Sequence, residues 1–94
     1  MKSSELTEKQ ALAISKSIAV NDYFHKIGIH LGLTENDIEI IKEDNPNNVE
    51  QQAYKTLIKW KQLAASEATV FKLVGVLQHL GLKDIAKELC ETCE

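Results

Sequence analysis

Residues 48–61 read NVEQQAYKTLIKWK, and this stretch decides the fold. Apolar side chains recur in it at i, i+4, i+8 and i+11, which keeps them on one side of an α-helix. This apolar stripe consists of Val49, Ala53, Leu57 and Trp60. Asn48 supplies an N-cap oxygen, and Gln51 is placed to reach back as in a capping box. We therefore predict one amphipathic helix over 48–62, with the only tryptophan of the sequence in the core.

Some apolar residues do not fit the buried faces of their helices. Tyr54 and Ile58 lie about 100° to 140° round the helix from Ala53, away from the stripe. Ile29 and Ile40 are likewise placed outside the core faces of their own helices. Isolated exposed apolar residues are common, and a neighbouring helix could equally cover these. If Tyr54 and Ile58 are exposed one turn apart, they form a small anchor for a partner, rimmed by polar residues.

Helix signals recur on both sides of the central segment. Thr7 and Thr34 each begin a capping-box pattern, and Gly32 and Gly81 are placed as helix stops. Asn21 or Asp22 is placed to cap the second helix, and Ser66 is placed to cap the fifth. The sequence contains no alternating period-2 segment and no hairpin signal, so no sheet is expected. The prediction is an all-α fold, a six-helix antiparallel bundle in one domain over 1–94, with helices at 8–19, 22–31, 35–43, 48–62, 67–80 and 84–91.

Composition and charge limit the class of protein. The 94 residues are 44 % apolar and 27 % charged, with a net charge of −3. This is the composition of a globular domain, and it argues against nucleic-acid binding, which relies on clustered Lys and Arg. No apolar run is long enough to span a bilayer, and no signal peptide is recognisable. We expect a cytoplasmic location without membrane insertion, although the domain could be the tail of a larger membrane protein.

Residues capable of chemistry are few and scattered. Cys90 and Cys93 form one C-x-x-C near the end of a predicted helix, where the dipole opposes thiolate, and a second pair for zinc is missing. We interpret them as ordinary reduced thiols. His25, His30 and His79 have no serine, cysteine or carboxylate spaced to form a triad or a metal site. The sequence therefore predicts no enzyme, no cofactor and no metal.

Three stretches together resemble one known family. They are LGLTENDIEII at 31–41, AYKTLIKW at 53–60, and ATVFKLVGVL at 68–77 followed by GLKDIAKEL at 81–89. They resemble the death domain, a six-helix interaction module of apoptotic and innate immune signalling. The third stretch is most similar to adaptor-type members such as the Fas-associated death-domain adaptor. The family often has tryptophan near the start of helix two, where this chain has Tyr23 and Phe24.

Two related folds match less well. The death-effector fold has an Arg-x-Asp-Leu signature in helix six. This chain has Asp84 and Ile85 there, but the preceding arginine is missing. The caspase-recruitment domain is the next alternative, but it accounts less well for the helix that carries Trp60.

The resemblance implies binding to other death domains through asymmetric surfaces that can build a helical homo-oligomer. By position, the end of helix four in one molecule would contact the start of helix six in a neighbour, together with Gly81 just before that helix. Helix three would form a second surface. Charges on helix three and on helix four would favour partners of opposite sign. The candidate partner-binding residues are Asp37, Glu39, Ile40, Glu43, Tyr54, Ile58, Lys59, Lys61, Gln62, Lys83 and Asp84.

A different class of function remains open. The chain could be an intramolecular structural domain of a receptor or cytoskeletal protein, without self-assembly. Such a domain would keep its oligomeric state when Tyr54 and Ile58 are changed to alanine. A small enzyme or cofactor carrier finds no support in residue spacing.

Overall fold

A computed structural model describes residues 5–91 as an all-α bundle. Its helices are α1 (Glu8–Ala19), α2 (Tyr23–His30), α3 (Glu35–Asp44), α4 (Val49–Ala64), α5 (Val70–His79) and α6 (Lys83–Glu91). Short 3₁₀ turns at Val20–Asp22 and Ala65–Glu67 precede α2 and follow α4. Across residues 5–91 no strand forms, and β-pairing is limited to one isolated bridge between Glu5 and Thr69. The predicted all-α class is confirmed.

Three predicted helix caps are present. The hydroxyl oxygens of Thr7 and Thr34 accept hydrogen bonds from the backbone N–H three residues later, and both capping boxes are complete. Asn48 Oδ1 accepts the backbone N–H of Gln51 at 3.0 Å. Each bond satisfies an N–H that has no partner within the helix. The starts of α1, α3 and α4 are therefore set by local sequence.

Two predicted caps are wrong. Ser66 does not cap the fifth helix; it lies in a 3₁₀ turn, and the hydroxyl of Thr69 caps α5 by accepting the Lys72 N–H at 3.2 Å. α5 therefore begins at Val70 and not near 67. Asp22 precedes α2 in a left-handed conformation and makes no side-chain cap bond. There the 3₁₀ turn, rather than a side-chain cap, leads into the helix.

The central helix α4 packs against α1, α2 and α3. Ala53, Leu57 and Trp60 are buried, with Trp60 only 1 % exposed, as the apolar stripe predicts. Val49 is 42 % exposed, so its place in the buried stripe is wrong. Val49 is the first residue of α4 and adjoins the exposed residues 46–48, where the packed part of the helix has not yet begun.

On the other side of the bundle, α6 packs against α1 and α5. Val70, Leu73 and Leu77 of α5 are buried, whereas Val74 and Leu80, which directly follows the helix, are half-buried. The hydroxyl of Ser17 on α1 donates to Glu88 on α6 at 3.0 Å, so α1 and α6 are joined by polar as well as apolar contact. Within residues 5–91, no helix combines the length and the apolar character that a membrane crossing requires.

The N-terminal segment also contributes to the core, which the sequence reasoning missed. Leu6 is fully buried, and its backbone N–H donates to the Ala68 carbonyl oxygen at 2.9 Å. Leu6 directly precedes the N-cap Thr7, and Ala11 is the fourth residue of α1. An apolar pair at these two positions is the pattern of a hydrophobic staple, and that signal could have identified Leu6.

Candidate partner-binding surfaces

Helices α3 and α4 enclose an open groove of about 420 Å³, which we call the α3–α4 groove. The resemblance places residues of helix three and helix four on separate surfaces. The structure instead brings five of the predicted residues together along this one groove. They are Asp37, Ile40, Ile58, Lys59 and Gln62.

The two walls of the groove carry opposite charges. Asp37 and Asp44 line the α3 wall, and Lys55 and Lys59 line the α4 wall. Between them lie apolar side chains, of which Ile40 is 49 % exposed. A surface with an apolar centre and charges of both signs beside it suits a protein segment of complementary pattern, since charge complementarity fixes register and orientation.

The turn between the two helices holds the groove walls in place. The Asn45 side-chain amide donates to the Ile41 carbonyl oxygen at 2.9 Å, and the Gln52 amide donates to the Asn45 carbonyl oxygen at 3.0 Å. The first bond closes the end of α3 and the second ties that end to α4. The Gln52 side chain is buried, so the tie belongs to the packed structure and not to the surface.

Asp37 has two roles, one in the helix cap and one in the groove. Its carboxylate accepts the Thr34 backbone N–H at 3.1 Å, which completes the capping box of α3. That bond, together with the Thr34 hydroxyl and more weakly the charge of Lys59, lowers the pKa of the Asp37 carboxyl, because each favours the ionised form. The α3 wall therefore carries this negative charge at neutral pH.

A second, smaller concavity lies at the start of α6. It measures about 280 Å³ and is lined by Lys83 and Asp84 from the predicted set, with the half-buried apolar residues Leu82 and Ile85 and with Tyr23 from α2. We call it the α6 surface. Opposite charges again stand beside apolar side chains, now on adjacent residues of one helix turn.

The other predicted residues lie elsewhere. Glu39 and Glu43 are exposed on α3, and Lys61 is half-buried on α4, but none of them lines either concavity. Tyr54 and Ile58 are half-buried and pack against the core. Of the two alternatives that the sequence leaves open, the structure therefore shows the covered one, and of this pair only Ile58 lines the groove. Asp44 and Lys55 complete the groove; Asp44 follows Asp37 by seven residues on α3, and Lys55 precedes Lys59 by four on α4.

Groups capable of chemistry do not converge in the part of the chain that the structure describes. Among residues 5–91, no three His, Cys, Asp or Glu side chains are grouped so as to hold a metal ion. Cys90 is an exposed free thiol, and Cys93 lies outside the described residues. His25 contacts Glu35, whereas His30 and His79 contact each other.

Both described concavities of this all-α bundle are open and place charges of both signs beside apolar side chains, a pattern that suits binding to other proteins. The comparison with known families agrees. The chain matches the death domain family model over residues 13–92, and it belongs to the death domain family. Death domains are protein–protein interaction modules of signalling proteins, and they bind other domains of the death fold.

Proposed function

We propose that this domain associates with other death domains, of its own kind or of a partner protein, and so assembles signalling complexes. The α3–α4 groove of one molecule would receive the α6 surface of the next. The observation that carries this proposal is the groove itself, with acidic and basic walls on either side of Ile40 and Ile58.

The α6 surface has the pattern that such a groove would accept. Lys83 and Asp84 offer one charge of each sign on adjacent residues, and Leu82 and Ile85 flank them with apolar side chains. The Lys83 side chain would then find carboxylates on the α3 wall, and Asp84 would find lysines on the α4 wall. The two surfaces differ, so the contact is asymmetric, does not close on itself, and can propagate into a helical homo-oligomer.

Assembly of this kind acts by proximity. A chain that recruits an effector at every position raises its effective concentration without any catalytic step of its own. We assign the domain a non-enzymatic, cytoplasmic role in apoptosis or innate immune signalling. The adaptor type is the class of death-domain protein that its third matching stretch most resembles.

Two charge reversals test the proposal, because each disables one surface. Lys59→Glu changes the groove, and Asp84→Lys changes the α6 surface; Lys9→Glu, at an exposed lysine that lines neither, is the matched control. Light scattering across protein concentration and salt is measured for each variant. We expect the wild type and the control to grow beyond the monomer, more at low salt, and each reversal alone to stay monomeric.

A mixture of the two reversals gives the sharper result. One variant retains an intact α6 surface and the other an intact groove, so these two surfaces should bind each other. The two reversed charges are also of opposite sign and face each other across the second contact, so the mixture should regain the growth that neither variant shows alone. Growth of either variant alone to the wild-type size would contradict the proposal. A panel of purified death domains, offered to each variant in a pull-down, then identifies which surface captures a partner.

The alternative, a structural domain without self-assembly, has one observation in its favour. Tyr54 and Ile58 pack against the core instead of projecting as a free anchor. Their replacement by alanine would lower stability in either case, so that double variant no longer separates the two functions. A wild type that stays monomeric at all salt concentrations and captures no death domain would favour the structural alternative.

A further inference from the structure

The same four residues, His-Leu-Gly-Leu, occur twice in the chain, at 30–33 and at 79–82. Each copy ends a helix in the same way. The N–H of Leu33 donates to the Gly28 carbonyl oxygen at 2.9 Å, and the N–H of Leu82 donates to the Leu77 carbonyl oxygen at 2.8 Å. With a glycine at positive φ before each donor, both ends are Schellman motifs. The histidine is the last residue of each helix.

These two helix ends meet in space. The imidazole rings of His30 and His79 stand edge to face, with centroids 5.3 Å apart and an interplanar angle of 63°. Both side chains are exposed, so an ion from solvent can reach them without a change in the fold. The contact joins residues 49 positions apart in sequence and depends on the packing of α2 against α5.

The ring separation suits one metal ion held between the two imidazoles. Zinc binds a histidine nitrogen at about 2.0–2.1 Å, and tetrahedral ligands subtend about 109° at the ion. When the distance of roughly 1.1 Å from ring nitrogen to ring centre is added, two imidazoles on one zinc ion have centres roughly 5 Å apart. The observed separation already lies at this value, so the rings need only rotate to direct a nitrogen at the ion.

The backbone favours a cation at the same place. The C-terminus of an α-helix carries a partial negative charge, equivalent to about half an elementary charge, from carbonyl groups without intrahelical partners. Here two such termini are brought together, each with its histidine in the final turn. A positive ion bound between the rings therefore interacts favourably with both helices.

We propose that His30 and His79 together bind one divalent transition-metal ion of the zinc type, with water in the remaining positions. Imidazole ligands suit zinc, copper and nickel, whereas magnesium and calcium prefer oxygen ligands. Two protein ligands leave the ion open to further groups, because residues 5–91 offer no third ligand in a cluster. This site is independent of the death-domain surfaces described above.

The test is a titration of the domain with zinc chloride at neutral pH, with magnesium chloride as the ion control. Binding is followed by calorimetry and by the backbone amide resonances in a ¹⁵N–¹H spectrum. Zinc should shift resonances around residues 30 and 79 together, and magnesium should not. Loss of an outer-shell partner alone costs a metal site roughly 10- to 100-fold in affinity. His30→Gln and His79→Gln each remove a direct ligand, so each should weaken zinc binding by at least about 10-fold.

His25→Gln is the matched control, since His25 is the third histidine and contacts Glu35 instead. It should bind zinc as the wild type does. The proposal is overturned if zinc shifts no resonance near 30 and 79. The proposal is also overturned if zinc shifts only the resonances near Cys90, or if either His30→Gln or His79→Gln binds zinc as tightly as the wild type. His30 and His79 are exposed and His25 is half-buried, and the spectrum of each variant reports directly whether it is folded.

Discussion

Gly28→Ala tests the packing of α2 against α4 most directly. Gly28 is buried, and a Cβ atom added to it would lie 3.0 Å from Cγ2 of Thr56 and 3.2 Å from Cδ1 of Ile38. Thr56 cannot easily move, because it is fully buried and its hydroxyl donates to the Gln52 carbonyl oxygen at 2.8 Å. A β-branched side chain held in this way has no free rotamer to adopt.

Two effects of opposite sign decide the outcome. Alanine is favoured over glycine in a helix by about 0.8–1 kcal/mol. An extra methyl forced into a packed core costs about 1–3 kcal/mol. We therefore expect Gly28→Ala to lower the free energy of unfolding by up to about 2 kcal/mol. At Gly75 on α5 an added Cβ meets nothing within 4 Å, so Gly75→Ala should raise it by about 0.5–1 kcal/mol.

Urea unfolding of both variants measures these changes, with the slope expected to remain unchanged. Thr56→Ser provides the decisive control, because it removes the methyl group that Gly28→Ala would strike and keeps the hydroxyl. In a double-mutant cycle, the Gly28→Ala change should be less destabilising in the Thr56→Ser background, by about 0.5–3 kcal/mol. If Gly28→Ala is as stabilising as Gly75→Ala, or if Thr56→Ser gives no relief, the described contact between α2 and α4 is wrong.

Two further predictions concern the N-terminal segment and the α3 cap. Leu6→Ala should lower the free energy of unfolding by about 2–5 kcal/mol because Leu6 is fully buried, whereas Leu12→Ala, 56 % exposed, should stay within about 0.5 kcal/mol. Equal effects in urea unfolding would refute the placement of Leu6. The lowered pKa of Asp37 contributes stability above the ordinary aspartate pKa of about 3.9 and loses it as pH falls through the lower folded-state pKa. Asp37→Asn should therefore be less stable than wild type at neutral pH, and the difference should shrink in strong acid; a difference independent of pH would contradict this.

The sequence predicts the helices well where burial follows a regular spacing. Ala53, Leu57 and Trp60 are buried as their period requires, and Thr7 and Thr34 cap their helices because a cap depends on residues three positions apart. These are local properties, and local sequence contains them. Val49 fails because period alone does not show where along a helix the neighbouring helices end.

The start of α5 was misplaced for a related reason. Ser66 and Thr69 are both reasonable N-caps, and the choice depends on a 3₁₀ turn in which Ala65 has a φ of 51°. An alanine gives no signal of that conformation, which is rare for residues other than glycine and asparagine. Ala68, which directly follows the turn, is fully buried, and no spacing rule reports tertiary packing of this kind.

The groove could be predicted only in pieces for the same reason. Asp37 and Lys59 are 22 residues apart, and each can be assigned to the outer face of its own helix. Whether those faces meet depends on the angle between α3 and α4, which the bonds of Asn45 and Gln52 help to fix. The sequence identifies the charges, and the turn determines that they share one surface.

The two walls of the groove differ in how firmly their charges are held, and this bears on how a partner would be recognised. The Asp37 carboxylate is already bound by the Thr34 N–H, so a partner that meets it causes little further loss of side-chain freedom. Lys55 is exposed, and fixing a long side chain of this kind would cost about 0.5–1.5 kcal/mol. In the proposed complex, the α3 wall therefore suits the role of setting register, since its charge has a defined position. The lysines of α4 suit long-range attraction, which depends on charge more than on geometry and speeds association.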